Sequence, residues 1–302
     1  MQQNFMEHVA NFGLSYGTIE EFNFRQSIWE LLDAELHRIN AEHKNFTVAH
    51  NFMSTWTQAE KKVLNGYVAS TVPETYVSFT ETEDKEVNWV KDGAVTAVKN
   101  QGQCGSCWSF STTGALEGAH FIANGTLEAF SEQQLVDCSR LNHACNGGSM
   151  VLAFRYFESH DAILEADYPY TSGESKKKGE CKYAEKEHTA VEVSTYKNVT
   201  PDEPKQLKAA IKEGPTSVAI EADKTVFQNY KSGVMDSAEC GTQLDHGVLA
   251  VGYGVSEEGT EYILVKNSWG PTWGDDGYIK IASTEGKGTC GINEMATRPS
   301  SN

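Results

Sequence analysis

The stretch Gln101-Gly-Gln-Cys104-Gly-Ser-Cys107-Trp108-Ser-Phe110 decides how the rest of the chain is read. Its two cysteines admit several chemistries. A structural zinc site needs two more clustered ligands, and the next cysteines, Cys138 and Cys145, lie far along the chain without repeating the spacing. A redox dithiol belongs between a strand and a helix of a short βαβ chain, which this is not. The plainest reading makes both cysteines disulfide partners or buried apolar fillers. For Cys107 a nucleophile fits better. Gly105-Ser106 reads as a turn, and the residues from Trp108 to Glu117 space apolar side chains as a helix does. Ser106 is therefore expected as N-cap, with Cys107 on the first helical turn. The positive end of a helix favours thiolate, so the thiol is expected below its free pKa of about 8.5.

Length and composition bound the alternatives. The 302 residues leave room for two or three compact units, and 39% hydrophobic with 22% charged residues is ordinary for a globular protein. No run approaches the roughly 18 apolar residues of a membrane span. A net charge of −17 without a basic stripe excludes nucleic acid as a partner. Lys176-Lys177-Lys178 sits in a Gly/Ser-rich loop and reads as a solvated turn. The N-terminus lacks the basic start and apolar core of a secretory signal. Yet seven cysteines and the sequons at Asn45, Asn124 and Asn198 suit an oxidising, secretory compartment, so a signal peptide is expected to have been removed or left out. Seven is odd: six can pair, and the one left over flags a reactive thiol.

Residues 1–82 contain no cysteine and read as a separate helical unit. Phe24, Ile28, Leu31, Leu32, Leu36 and Ile39 form one stripe of a long amphipathic helix, along which Glu21 and Arg25 are spaced to pair. Thr57-Gln-Ala-Glu60 predicts a capping box and a second, shorter helix through Val63 and Leu64. From Ala69 to Glu86, around Pro73, the pattern is that of an extended connector. The helical unit suits an interaction domain or a cap over a cleft. From Val87 the character changes. Short helices are expected over Ser131–Cys138 and Met150–Glu158, with a tight loop at Cys145-Asn-Gly147-Gly148. After Tyr196 strands are expected at 216–220, 247–251, 262–265 and 277–281. Helices followed by strands imply two unlike subdomains with a cleft between them.

A thiolate needs an imidazolium beside it, and nine histidines compete for that role. His8, His37, His43, His50, His120, His143, His160 and His188 lie among polar neighbours and read as surface residues. His246, in Gln243-Leu244-Asp245-His246-Gly247-Val248, opens an apolar strand; alone it reads more readily as a structural strand-end residue. Lys266-Asn267-Ser-Trp269-Gly270 ends the following strand, where Asn267 is placed to accept from the second ring nitrogen and Trp269 to shield that bond.

Taken together, Cys104-Gly-Ser-Cys107-Trp108, His246 placed 139 residues after Cys107, Asn267-Ser-Trp269 and Cys145-Asn-Gly147-Gly148 resemble the papain family of cysteine endopeptidases, most of all its cathepsin L branch, as a proenzyme. The resemblance runs from Val87 to about Thr297. It implies an α+β, papain-like fold of a helical and a β-barrel-like subdomain flanking the cleft, preceded by a small helical prodomain. Residues 1–82 are then the propeptide and 83–302 the peptidase, mainly helical to about 196 and mainly β from about 197. It implies Cys107 as nucleophile, passing through a thioester, His246 as ion-pair partner and acid/base, and Asn267 orienting the imidazole with Trp269 in support. Gln101 and the Cys107 N–H would form the oxyanion hole. Substrate would be held by Gly105, Gly147, Gly148 and Asp245, with Met150, Ala219, Leu244, Gly247 and Met295 around a hydrophobic P2 side chain. Met295 at the pocket floor, where some relatives carry an acid, argues against good acceptance of Arg. The implied disulfides are Cys104–Cys145, Cys138–Cys181 and Cys240–Cys290, with Cys107 free.

The propeptide signature is partly kept. Glu21, Arg25 and Asn40 match; Trp29, Leu32 and Leu36 replace the usual Phe, Asn and Ile. In Ala49-His50-Asn51-Phe-Met53-Ser-Thr55 the Asn remains, but Thr55 stands where the family has the Asp of its acid trigger. Residues 1–82 carry 5 basic and 10 acidic groups and the remainder 20 and 32, so acid should reduce their mutual repulsion. Acid activation is then expected to come from protonating paired carboxylates in the prodomain, with cleavage near 80–86. A catalytically dead relative would be expected to lack the nucleophile. A transglutaminase-like enzyme would carry Asp at 267, and a cathepsin B-like exopeptidase a His-bearing insertion before Cys145. The expected partners are protein and peptide substrates and the chain's own propeptide, for a monomer in a lysosome, acidic vacuole or secretion, without cofactor, metal or membrane.

Overall fold

The long N-terminal helix forms, but rotated from the expected stripe. A computed structural model describes residues 2–72 and 74–302; Met1 and Pro73, the centre of the expected connector, lie outside them. Helix α1 (Gln2–Asn11), which the sequence reading missed, precedes α2 (Ile19–Glu42). Thr18 caps α2 by accepting from the Glu21 N–H, and Glu20 and Glu21 sit at its positive end. Its buried face is Trp29, Leu36 and Ile39, whereas Phe24 and Leu31 are 52% and 76% exposed. Phe5 of α1 packs on Phe22 and Trp29, and that contact selects the face. Strand β1 (Phe46–Val48) follows, then α3 (Gln58–Lys62), opened by the expected capping box between Thr57 and Glu60.

Next come strands β2 (Tyr76–Val77) and β3 (Val87–Asn88) and helices α4 (Cys107–Asn124), α5 (Glu132–Cys138), α6 (Met150–Phe157) and α7 (Ser172–Ser175). The remainder runs β4 (Val193–Val199), α8 (Pro204–Glu213), β5 (Thr216–Ile220), α9 (Thr225–Gln228), β6 (Tyr230–Met235), β7 (His246–Val255), β8 (Glu261–Lys266), β9 (Tyr278–Ala282) and β10 (Ala296–Ser301). The four expected strands are present; β4, β6, β10 and helix α8 were not anticipated.

Among the described residues ten strands form one open path, β1-β6-β9-β8-β7-β5-β10-β4-β2, with β3 added to β7, rather than a closed barrel. Both ends of that path come from the first 82 residues, so the edges of the sheet are covered by the N-terminal unit. Residues from Leu36 to Leu64 share one apolar core with the sheet. Helix α4 is buried from Cys107 to His120, and Trp108, Ala115 and Leu116 pack with α5, α6 and Leu249 of β7 in a second core. A central helix buried on every side needs no amphipathic stripe. Between α4 and α5, Lys99 Nζ meets Glu132 at 2.7 Å, Glu165 at 3.0 Å and Glu117 at 3.3 Å.

Candidate active site

Cys107 opens α4, as expected, but Ser106 does not cap it through its side chain. The Ser106 hydroxyl bonds instead to the Tyr170 hydroxyl at 2.7 Å, and the turn is held by the Cys104–Cys145 disulfide and the Ser106 N–H donating to the Cys104 carbonyl. The other pairs are Cys138–Cys181 and Cys240–Cys290, which leaves Cys107 as the one free thiol. Its Sγ accepts from the Gly247 and Gly66 N–H groups, both at 3.3 Å. Complete burial pushes the thiol up to about 11, against the pull of those N–H groups. The lowered pKa expected from the helix end is therefore not met in this chain: desolvation beneath the N-terminal unit outweighs it.

His246 is the first residue of β7, and its Nε2 lies 2.8 Å from Asn267 Oδ1. The Ser268 N–H donates to the same Oδ1 at 2.8 Å. That atom must then be the amide oxygen, so Nε2 carries the imidazole proton and Nδ1 keeps a bare lone pair. Nδ1 is buried without a partner among the described residues. Trp269 is 1% exposed, its ring centre 4.8 Å from the imidazole. Burial pushes His246 down to about 4, with the Asn267 bond opposing. Gln101 is held by two groups that the sequence reading missed: Ser268 Oγ donates to its Oε1 at 2.7 Å, and the Tyr170 hydroxyl to its carbonyl at 2.7 Å. Its Nε2 then faces the cleft. One residue, Ser268, thus bonds both Asn267 and Gln101.

What fills the cleft is the chain itself. Gln101 Nε2 donates to the Leu64 carbonyl at 2.9 Å, and Gly66 N–H to Cys107 Sγ. The Gly148 N–H donates to the Gly66 carbonyl and the Val68 N–H to the Gly148 carbonyl, both at 2.8 Å, in a parallel bridge centred on Tyr67. Tyr67 N–H donates to the Asp245 carbonyl at 2.9 Å, and Asn65 Nδ2 to Asp245 Oδ2 at 3.0 Å. Burial pushes the Asp245 carboxyl up to about 7. Gly105, Gly147, Gly148 and Asp245 therefore line the path of this segment. A Cβ on Gly66 would lie 2.0 Å from the Gly105 carbonyl oxygen, so the crossing admits only glycine there. Met150, Ala219 and Met295 belong to the second core, with Tyr67 and Leu244 packed against it. Gly247 passes Met150 so closely that a Cβ would lie 2.9 Å from its Sδ. Residues 64–68 were not foreseen as cleft residues; the glycine beside Tyr67 was the only hint.

In the N-terminal unit Glu21 lies 3.6 Å from Arg25, but the main partner of Arg25 is Glu60, bonded at 2.6 and 2.8 Å, with the Thr55 carbonyl at 2.9 Å. The Arg25 hydrogen bond holds Glu60 down to about 2. Asn40 brackets the backbone of Val48, and Asn51 Nδ2 donates to the Gln228 carbonyl at 2.7 Å. Trp29 stacks on His50 with ring centres 4.2 Å apart. His8, expected at the surface, is 5% exposed, its ring centre 5.6 Å from His50. His120, also expected outside, is 8% exposed. Asn198, a sequon residue, is buried in β4. Glu42, His43 and Glu239 cluster at the surface, where Arg38 bonds both carboxylates; an acidic surface cluster of this kind needs no metal.

A family profile described as "Papain family cysteine protease" matches residues 84–300. The chain is 40% identical over 308 residues to the cysteine protease XCP2 of Arabidopsis thaliana, covering 98% of this chain and 85% of that one. It is 41% identical to human cathepsin L2, covering 94% and 88%. Among solved structures, digestive procathepsin L2 from Tenebrio molitor larval midgut superposes with a TM-score of 0.90 at 32% identity, covering 99% of each chain. The agreement with a proenzyme extends through the helical N-terminal unit. This chain belongs to the papain family of cysteine proteases, in a proenzyme-like form.

Proposed function

We propose that the protein is a thiol endopeptidase that covers its own active site, with residues 1–82 as inhibitory propeptide and 83–302 as the peptidase, helical to about 196 and mainly β beyond. The observation that carries this reading is the Leu64 carbonyl 2.9 Å from Gln101 Nε2, beside the thiol of Cys107. The chain's own peptide sits where a scissile carbonyl would be polarised, but runs parallel to Gly148.

Once the cover leaves, water returns to the cleft and the burial that keeps Cys107 as thiol and His246 neutral is relieved. The thiol proton passes to the bare Nδ1 of His246, and the thiolate attacks the substrate carbonyl. Gln101 Nε2–H and the Cys107 N–H donate to the oxyanion. The imidazolium, fixed by Asn267 and screened by Trp269, gives its proton to the leaving amine as the thioester forms. Water, deprotonated by the same Nδ1, then hydrolyses the thioester and regenerates the thiol. Gly105, Gly147, Gly148 and Asp245 hold the substrate backbone, and Met150, Ala219, Leu244, Gly247 and Met295 take a hydrophobic P2 side chain.

Acid removes the cover in this reading, by cleavage near residues 80–86 in a lysosome, acidic vacuole or after secretion, the protein acting as a monomer. Of the paired carboxylates expected as the trigger, Glu60 suits it poorly: held down to about 2, its pairing to Arg25 fails only well below the pH of such compartments. The two histidines packed against Trp29 suit it better. His8 is pushed down to about 4 by burial and then by His50, and His50 is lowered by burial although Asp33 lies 3.1 Å from its Nε2.

Two measurements test the reading. The acid-treated protein should cleave a coumarin peptide with Leu or Phe at P2, and Cys107→Ala should not; undiminished cleavage by Cys107→Ala sinks it. N-terminal sequencing after acid treatment should begin near residues 80–86, and an intact 33.3 kDa chain would remove the autocatalytic step.

A further inference from the structure

Lys176-Lys177-Lys178, read from the sequence as a solvated turn, sits on a backbone pinned from both sides. Lys176 closes α7 in the left-handed region at φ 61°, its N–H donating to the Ser172 carbonyl at 2.9 Å. The Lys177 carbonyl accepts from Ser172 Oγ at 2.9 Å and from Ser175 Oγ at 3.0 Å. The Gly179 N–H donates to Asp137 Oδ1 at 2.6 Å, and Cys181 is bonded to Cys138 at the end of α5. The loop is thus fixed by its backbone, and the three lysine side chains stay exposed. Together with Arg140 and His143 they line one groove of about 510 Å³. Among the described residues Arg140 and the three lysines have no carboxylate partner, unlike Arg25, Arg38 and Lys99. Asp137 is the one acid in the lining, and its oxygens already accept from Gly179, Gln133 and Tyr168. Glu174 and Glu180 flank the run in sequence, but neither lines the groove. Like charges gathered without partners repel one another, so an anion laid among them is bound favourably.

The groove backs onto the cleft. Cys145 and Asn146 belong to its lining, and the Cys145 carbonyl accepts from the Gly105 N–H at 2.9 Å. The next residues are Gly147 and Gly148, and the His143 N–H donates to the Gly147 carbonyl at 2.8 Å. One loop therefore forms both the edge of the cleft and the wall of the groove. A second groove of about 670 Å³ shares Ser139 and Arg140 with the first and adds Arg155, which lengthens the basic path.

We propose that this basic groove is an exosite for acidic segments of protein substrates. A run of Asp or Glu side chains lies on Lys176, Lys177, Lys178 and Arg140 while the chain it belongs to passes Gly147 and Gly148 into the cleft. A peptide is favoured over other polyanions because the groove and the peptide-holding glycines are two sides of one loop. The contact makes no bond; it holds a substrate near Cys107 and raises its effective concentration there. The effect on cleavage rests on the peptidase reading of the cleft, whereas the binding itself does not.

The test has two arms. In the first, a fluorescent oligoglutamate peptide is titrated by anisotropy onto the full chain carrying Cys107→Ala, with and without Lys176→Glu, Lys177→Glu and Lys178→Glu. The unchanged groove should bind the peptide, and the triple reversal should weaken binding by about tenfold or more, as several partly screened charge pairs together provide. Affinity should be lost in about 1 M salt, where the screening length is about 3 Å. No binding, or binding that the reversal leaves unchanged, overturns the proposal. Heparin binding to the same groove without oligoglutamate binding also overturns it, because the groove then serves a sulfated polysaccharide. In the second arm, matured enzyme cleaves peptides that share one scissile sequence and carry a glutamate or a serine tail at either end. A glutamate tail at one end should lower KM by about tenfold with kcat unchanged, and the triple reversal should remove that gain while a coumarin dipeptide is cleaved as before. Equal KM for the two tails at both ends overturns the exosite. If the triple variant fails to fold, Arg140→Glu takes its place in both arms. Failure of the matured wild type to cleave the coumarin dipeptide strikes the peptidase reading, and the first arm still decides the groove.

Discussion

The N-terminal unit and the catalytic unit both bury titratable side chains, but on opposite terms. In the catalytic unit Lys99 is surrounded by Glu117, Glu132 and Glu165, so the charges of that cluster are matched. In the N-terminal unit His8 is buried and His50 half-buried against Trp29, each with one ring nitrogen lacking a partner among the described residues. The catalytic unit is further tied by three disulfides, and the N-terminal unit has no cysteine. The difference teaches how one chain can shed a part of itself in acid: besides the matched Arg25–Glu60 pair, the part to be lost buries bases that must stay neutral, and the part to be kept, apart from the covered His246, buries ions that are matched.

The largest effect should come from breaking the matched cluster. Lys99→Met leaves Glu117 and Glu132 buried without their cation, a loss of about 3–5 kcal/mol from the catalytic unit. Glu132 is already pushed up by burial, and without Lys99 its folded pKa would rise further. A raised folded pKa stabilises below the unfolded value and is lost as pH rises. The variant should therefore be weakest near neutrality and recover on acidification. A melting temperature that falls with acid as in wild type would show that the cluster does not hold the unit.

The second comparison reverses the roles. His8 falls from 6.5 unfolded to about 4 folded, so the unfolded state binds the extra proton between those values. The stability that a neutral His8 contributes is whole above pH 6.5 and lost toward pH 4, a change of roughly 3 kcal/mol. His50, lowered in the same direction, adds to it; Asp33 on His50 works against it, and His37 with it. In the full chain with Cys107→Ala, proteolysis of residues 2–62 should set in across that window while the catalytic unit resists. Adding His8→Phe and His50→Phe should move its onset down by about one pH unit or more, and an unmoved onset would place the trigger elsewhere.

Smaller changes sharpen the contact between the units. Gly66→Ala puts a methyl against the Gly105 carbonyl, an overpacking of about 1–3 kcal/mol, so basal cleavage by the full chain at neutral pH should rise about tenfold. Ser268→Ala removes the hydroxyl that orients Gln101. After maturation it should lower kcat by about tenfold with KM nearly unchanged, because a loosened oxyanion donor weakens the transition state more than substrate binding.

Local signals were legible in the sequence. The Thr57–Glu60 box is written in residues three apart and forms as read, and the helix expected over Ser131–Cys138 is present. Helical spacing after Cys107 placed that residue on the first turn of α4. The motif around it, with His246 and Asn267, pointed to the family that the comparisons establish. Periodicity could not say which face of α2 turns inward, because α1 and His50 make that choice from outside the helix. Nor could i,i+4 spacing reveal that Arg25 pairs mainly with Glu60, 35 residues away. Polar neighbours in sequence suggested surface histidines at His8 and His50, and only packing put His8 inside and half-covered His50. The sign of the Cys107 shift was the sharpest divide. A helix N-terminus is a property of local sequence and lowers the pKa, whereas burial beneath residues 64–68 is a property of the assembled chain and raises it to about 11. The sequence by itself determined which groups stand ready to react; the tertiary structure decided that they are held unreactive, because desolvation depends on what distant residues lay over them.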